Sequence, residues 1–173
     1  MGAGDLSAAL WQERRQLEVL LFRLETQQLH VEAGNLRWLG FTAAEVADVL
    51  DRLRFEALAR SVESAGVAVE WGLPPETSLP GLIGVAPPGP WAEILSEHRT
   101  GLQDLLGRLG NAVRAGRNSL EAVRLTVAAG APPAGTFSEL DQLTLTGTVE
   151  HALAVIGQTG QPHLAEYLGN SPG

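Results

Sequence analysis

The stretch Arg37-Trp38-Leu39-Gly40-Phe41-Thr42-Ala43-Ala44-Glu45-Val46 joins two long amphipathic segments, and its reading decides the fold. Gly40 breaks the first segment. Thr42-Ala43-Ala44-Glu45 has the form of a capping box, in which the Thr side chain and the Glu side chain each satisfy an amide at the helix start. Phe41 and Val46 stand at the two positions of a hydrophobic staple around it. The connection is thereby about three residues long, and a link that short turns the second helix back antiparallel on the first.

Working outward, apolar residues recur at alternating steps of three and four over 6–39, 42–71 and 90–129. Leu10, Leu17, Leu21, Leu24, Val31 and Trp38 share one seam. Val46, Leu50, Leu53, Ala57, Val67 and Trp71 share the second. Leu95, Leu102, Leu105, Leu109, Ala112, Val123 and Val127 share the third. Seams at this spacing are buried against other helices. Gly72-Leu73-Pro74-Pro75 ends the second helix, because Pro lacks the amide hydrogen and clashes with the preceding turn. A short helical turn after Ser78 packs Leu79, Leu82, Ile83 and Val85 on the hairpin, and Pro90 suits the first turn of the third helix. Gly101, Gly107, Gly110 and Gly116 lie in that helix. They either soften it or admit a close neighbour. Gly130 and Pro132-Pro133 close it.

The fold expected is all-α: a long antiparallel helical hairpin with a third helix along it, over residues 1–130. Residues 131–173 form an acidic, partly apolar, loosely ordered tail. Every Arg lies before it, and its apolar clusters are Phe137/Leu140/Leu143/Leu145 and Val149/Leu153/Val155/Ile156.

The 173 residues carry a net charge of −8, which excludes the basic stripe that nucleic acid requires and disfavours an anionic membrane surface. There is no Cys, so neither a disulfide framework nor a thiolate metal site is expected. All twelve basic residues are Arg. The N-terminus lacks the pattern of a secretory signal, and no run of about eighteen apolar residues is present to span a bilayer. The expected location is the cytoplasm.

No catalytic, cofactor-binding or metal-binding residues are expected, and no enzyme. His30, His98, His151 and His163 are scattered, with no pair at helical metal-ligand spacing. His98 falls on the third seam and reads as a core histidine. Glu18, Glu25, Asp48 and Asp51 read as solvated faces. The Gly81–Gly89 stretch has no Lys and so no phosphate loop. Trp38, Trp71 and Trp91, at helix ends, read as locks of the bundle.

Three groups of residues in this order carry a resemblance. The first helix reads Leu10-Trp11-Gln12-Glu13-Arg14-Arg15 and ends at Arg37-Trp38-Leu39. The second closes on Leu73-Pro74-Pro75. The third opens at Pro90-Trp91-Ala92-Glu93-Ile94-Leu95 and passes His98-Arg99 to Arg117-Asn118-Ser119-Leu120. This resembles the FlgN family, the flagellar export chaperones for hook-associated proteins, over roughly residues 5 to 129. The resemblance implies a cytoplasmic chaperone that binds the helical ends of hook–filament junction subunits and delivers them to the type III export gate. The expected binding groove lies on the third helix, at Leu102, Leu105, Leu109, Asn118 and Leu120, where the glycines let a partner helix lie close. Two other readings stand beside it. Trp38-Leu39-Gly40 is similar to the Trp-x-Gly turn of secreted helical-hairpin proteins of the ESX type. That type carries a Tyr followed four residues later by an acid, and here Tyr167 is followed at that distance by Ser171. A generic coiled-coil adaptor is the other.

Overall fold

The computed structural model describes residues 2–130 and 139–170. Every regular element among them is helical: α1 (Ala3–Glu32), a 3₁₀ turn (Leu36–Trp38), α2 (Leu39–Glu70), α3 (Leu79–Val85), α4 (Trp91–Ala128), α5 (Glu139–Ile156) and α6 (Pro162–Tyr167). The all-α class follows from the three seams, whose leucines are all buried. Trp38 is a departure: it is substantially exposed and locks nothing, while Trp71 and Trp91 are half-buried.

The turn after α1 lies earlier than the sequence suggests. Gly34 adopts φ +76°, and its amide bonds the Val31 carbonyl while the Asn35 amide bonds that of His30. This is the paired 5→2 and 6→1 pattern that Gly makes possible at a helix end. Leu36 and Leu39 are both buried, so the chain commits to α2 at Leu39 and Gly40 falls inside it. The capping box is therefore not formed. Thr42 Oγ1 instead shares its one proton between the Leu39 carbonyl at 3.1 Å and Gln27 Oε1 at 3.2 Å. Glu45 is engaged by Arg23 at 2.9 Å, and Phe41 is exposed rather than stapled. Burial of Leu39 outweighs a cap, whose usual worth is about 1 kcal/mol. α2 ends as expected, at Gly72, with the same left-handed glycine pattern.

The described chain divides into two compact units. One comprises Met1–Glu18, Asp51–Arg108 and Gln161–Gly173. In it the first half of α1, the second half of α2, α3, the first half of α4 and α6 share a core that includes Leu6, Leu10, Leu53, Leu79, Leu95 and Leu164. The short helix after Ser78 is present, and Leu79 and Leu82 are fully buried. α6 is fastened by side chains. Arg99 Nε donates to the Leu168 carbonyl at 2.8 Å, Gln103 Nε2 donates to Asn170 Oδ1 at 2.8 Å, and the hydroxyls of Tyr167 and Ser64 bond at 2.8 Å.

The other unit comprises Val19–Leu50 and Leu109–Gly160. Arg23 meets Glu45 and Gln27 meets Thr42, so α1 and α2 run antiparallel here. Arg124 lies 3.7 Å from Glu150, and the Ile156 side chain lies against Gly116, so α4 and α5 also run antiparallel. Leu145, Val149, Ala152, Val155 and Ile156 of α5 are buried. Residues 139–170 are therefore more ordered than a loose tail, because their apolar positions 145, 149, 152 and 156 fall at steps of four, three and four and find a core. Phe137 lies outside the described residues.

The four glycines of α4 separate into two kinds. A Cβ at Gly116 would come within 2.8 Å of Ile156 Cδ1, and one at Gly101 within 2.6 Å of the Arg14 guanidinium. Those two positions admit a close neighbour. Gly107 and Gly110 have nothing within 4 Å. Gly110→Ala should therefore stabilise the protein by up to about 1 kcal/mol through helix propensity alone. Gly116→Val should destabilise it by about 1–3 kcal/mol through overpacking against Ile156. Chemical denaturation of the two variants checks the opposite signs.

Candidate partner-binding face

The expected groove residues do not form an open surface. Leu102, Leu105, Leu109 and Leu120 are all at most 4% exposed and fill the interior of their units. Asn118 is exposed. A leucine seam has the same spacing whether it meets the chain's own helices or a partner, and here its own helices occupy it. The corrected candidate lies on α2.

The second half of α2 is apolar on two opposite sides. One side carries Leu53, Ser64, Val67 and Ala68 into the core, along with Arg60. The other carries Phe55, Leu58 and Val62, then Val69, at 74%, 64%, 57% and 63% exposure. At about 3.6 residues per turn, steps of three, four and seven set these four in one row. Ala65 and Gly66 fill the interval between Val62 and Val69 without covering the row. Scattered exposed apolar residues are ordinary, but a row of large ones along one helix marks an interaction surface. Beside the row, one position C-terminal to Phe55, Val62 and Val69, stand Glu56, Glu63 and Glu70. No cation lies within ion-pair distance of these three among the described residues. On the opposite flank Arg54 is taken by Asp51 at 2.7 Å.

No protein-family model, curated protein or solved structure matches the chain. The residues themselves therefore carry the functional reading.

Two buried polar groups bear on whether the chain holds an active centre. Glu13 and Arg60 form an ion pair at 2.5 Å with both side chains almost wholly out of solvent. The Tyr167 ring lies 4.5 Å from the Arg60 guanidinium carbon. Burial pushes the Glu13 carboxyl above its ordinary range, against the pull of Arg60, and Glu56 pushes the same way. Burial likewise raises the Tyr167 hydroxyl. Perturbed groups often mark catalytic sites, but Glu13 and Arg60 are almost wholly out of solvent and face each other. Their role is to join α1, α2 and α6. The sequence reading missed this cluster, although both charges interrupt seams: Glu13 falls between Leu10 and Leu17, and Arg60 between Leu53 and Val67.

His98 is buried, and its Nε2 lies 2.9 Å from Ser7 Oγ. Burial first, then the Arg14 charge, holds its imidazole below the ordinary 6.5, with Glu97 opposing. A histidine whose folded value is depressed contributes stability above its unfolded value and loses it as pH falls through 6.5 toward the folded one. Denaturation at a series of pH values from 7.5 down should show that His98→Asn removes part of this acid-side loss. A variant that tracks the parent in parallel would contradict it.

A cleft of about 290 Å³ opens in the second unit, with Val31, Leu36, Ser119 and Val123 in its lining. It lies at the lower end of the usual size of a small-molecule site, roughly 300–1,000 Å³, and brings no two titratable groups together. Among the described residues no three His, Asp or Glu side chains gather as a metal site needs, and no helix is long and apolar enough to cross a membrane.

Proposed function

We propose that this chain is a chaperone of flagellar type III export, of the FlgN kind, working in the cytoplasm. It covers a terminal helix of a hook-associated subunit and brings it to the export gate. The reading draws its partner from the FlgN-like order of landmarks in the sequence. The single observation that carries it is the exposed row Phe55, Leu58, Val62 and Val69 along α2. Such a row receives an amphipathic helix, whose anchors at i, i+3 or i+4, and i+7 fall into register with it. The chemistry required is burial and release, so no reacting group is needed. A subunit whose sticky end is covered stays unassembled until a stronger contact takes that end away.

The test is calorimetric titration of the terminal helical segment of a hook-associated subunit into the full chain. Phe55→Ser and Val62→Ser should each weaken binding about thirtyfold, the consequence of losing a central anchor worth roughly 2 kcal/mol. Their melting temperatures should hold, since both side chains are already in solvent. Undiminished binding by both variants, or no binding by the parent chain, would overturn the proposal and favour the adaptor or the ESX-like reading.

A further inference from the structure

We infer that the partner helix of the α2 face is basic along one flank, with cationic side chains at heptad spacing; this rests on the helix-capture reading above. The apolar row and its acidic edge share one period. Phe55-Glu56, Val62-Glu63 and Val69-Glu70 repeat every seven residues, so the edge follows the row for its whole length. A helix lying in the row presents its own flanking positions to that edge at the same interval, as e and g positions do in a coiled coil. Arg or Lys there meets a carboxylate at every heptad. Asp or Glu there meets like charge. Arg52 stands at the N-terminal end of the edge, and its charge confines the acidic part to 56–70.

The carboxylates gain from such a partner because nothing else neutralises them. Some surface charges elsewhere are paired within the chain, as Arg23 is with Glu45 and Arg124 with Glu121. Glu63 and Glu70 have no ion-pair partner among the described residues, and the net charge of −8 adds a long-range attraction for a cationic segment. A second copy of the chain fits less well. In an antiparallel helix pair like flanks meet, so two copies joined antiparallel through this face would set one acidic edge against the other.

Two designed helical peptides of about three heptads test this directly. Both carry the same Leu seam; one has Arg and the other Glu at the flanking positions. Each is titrated into the full chain at low and at high salt, and into the variant Glu63→Gln/Glu70→Gln, which leaves Glu56 and the nearby Glu13–Arg60 pair intact. The Arg peptide should bind about tenfold tighter at low salt, as two exposed charge pairs allow. The preference should shrink at high salt and fall to within about threefold in the Gln variant. Melting of the variant confirms that its fold is kept. Equal binding of both peptides, or a preference unchanged in the variant, overturns the charge inference. If Phe55→Ser abolishes both in that case, helix capture itself stands. Binding of neither peptide overturns the inference too, and the hook-subunit titration then decides separately whether helix capture survives. Dimerisation of the chain that Phe55→Ser abolishes would replace the basic helix with a second copy.

Discussion

Removing residues 131–173 should abolish the cooperative fold. The deletion takes away Leu145, Val149, Val155, Ile156, Leu164 and Leu168, all at most 8% exposed, and bares the surfaces they cover on α1, α2 and α4. A buried aliphatic side chain contributes roughly 1.5–3 kcal/mol. Even after discounting for a compact unfolded chain, six such losses reach on the order of 10 kcal/mol. That equals the whole stability of an ordinary domain, about 5–15 kcal/mol. Arg99 and Gln103 also lose the acceptors that α6 and the chain after it supply. Circular dichroism of the 1–130 fragment should show a broad, non-cooperative melt and a large loss of helical signal per residue. A sharp transition near that of the full chain would mean that α5 and α6 are dispensable. A shorter deletion, after Gly160, should be milder but should open the Arg60 cluster to water.

Arg60→Met should be the most damaging single substitution, costing roughly 3–5 kcal/mol at neutral pH. The loss comes from what remains behind. Glu13 Oε1 already has no hydrogen-bond partner, and without Arg60 the other oxygen has none either. A buried carboxylate left alone relieves itself by taking a proton. The pH dependence follows from the sign of its shift. Glu13 binds its proton more tightly folded than unfolded, so its contribution is full below 4.5 and is lost as pH rises through the raised folded value. The substitution raises that value further. The cost of Arg60→Met should thus be greatest near neutrality and shrink on acidification, as the stranded carboxyl takes up its proton. The double variant Glu13→Leu/Arg60→Met should recover most of the loss, since apolar replacements of a buried pair are often neutral. Urea unfolding at pH 5 and pH 7.5 measures both effects. A cost that is equal at the two pH values would show that Glu13 is not the source.

The helices were legible because burial imposes their period. Leu10, Leu17 and Leu24, or Leu95, Leu102 and Leu109, have no alternative explanation at that spacing. The first turn was less legible because two signals competed. Gly40 with the Thr42 box reads as the boundary, and only the burial of Leu36 and Leu39 moves it back to the left-handed Gly34. α5 was obscured by its composition. Thr144, Thr146, Gly147 and Thr148 have low helix propensity, and tertiary packing of Leu145 and Val149 overrides them. The burial of the expected groove leucines could not be read from sequence, for a reason intrinsic to it. A seam does not declare whose helix fills it, so the leucines of α4 looked as open as they proved closed. The usable signal was instead a second apolar row out of phase with the first, Phe55, Leu58, Val62 and Val69 against Leu53 and Val67. A helix buried on one side has no need of the other row for its own folding.

The most direct test of that row is amide chemical-shift mapping of the full chain during titration with the hook-subunit helical segment. The account predicts that the perturbed amides cluster along Phe55–Glu70 of α2, with Leu102, Leu105, Leu109 and Leu120 unmoved. Perturbation centred on those four leucines, or none on α2, would contradict it.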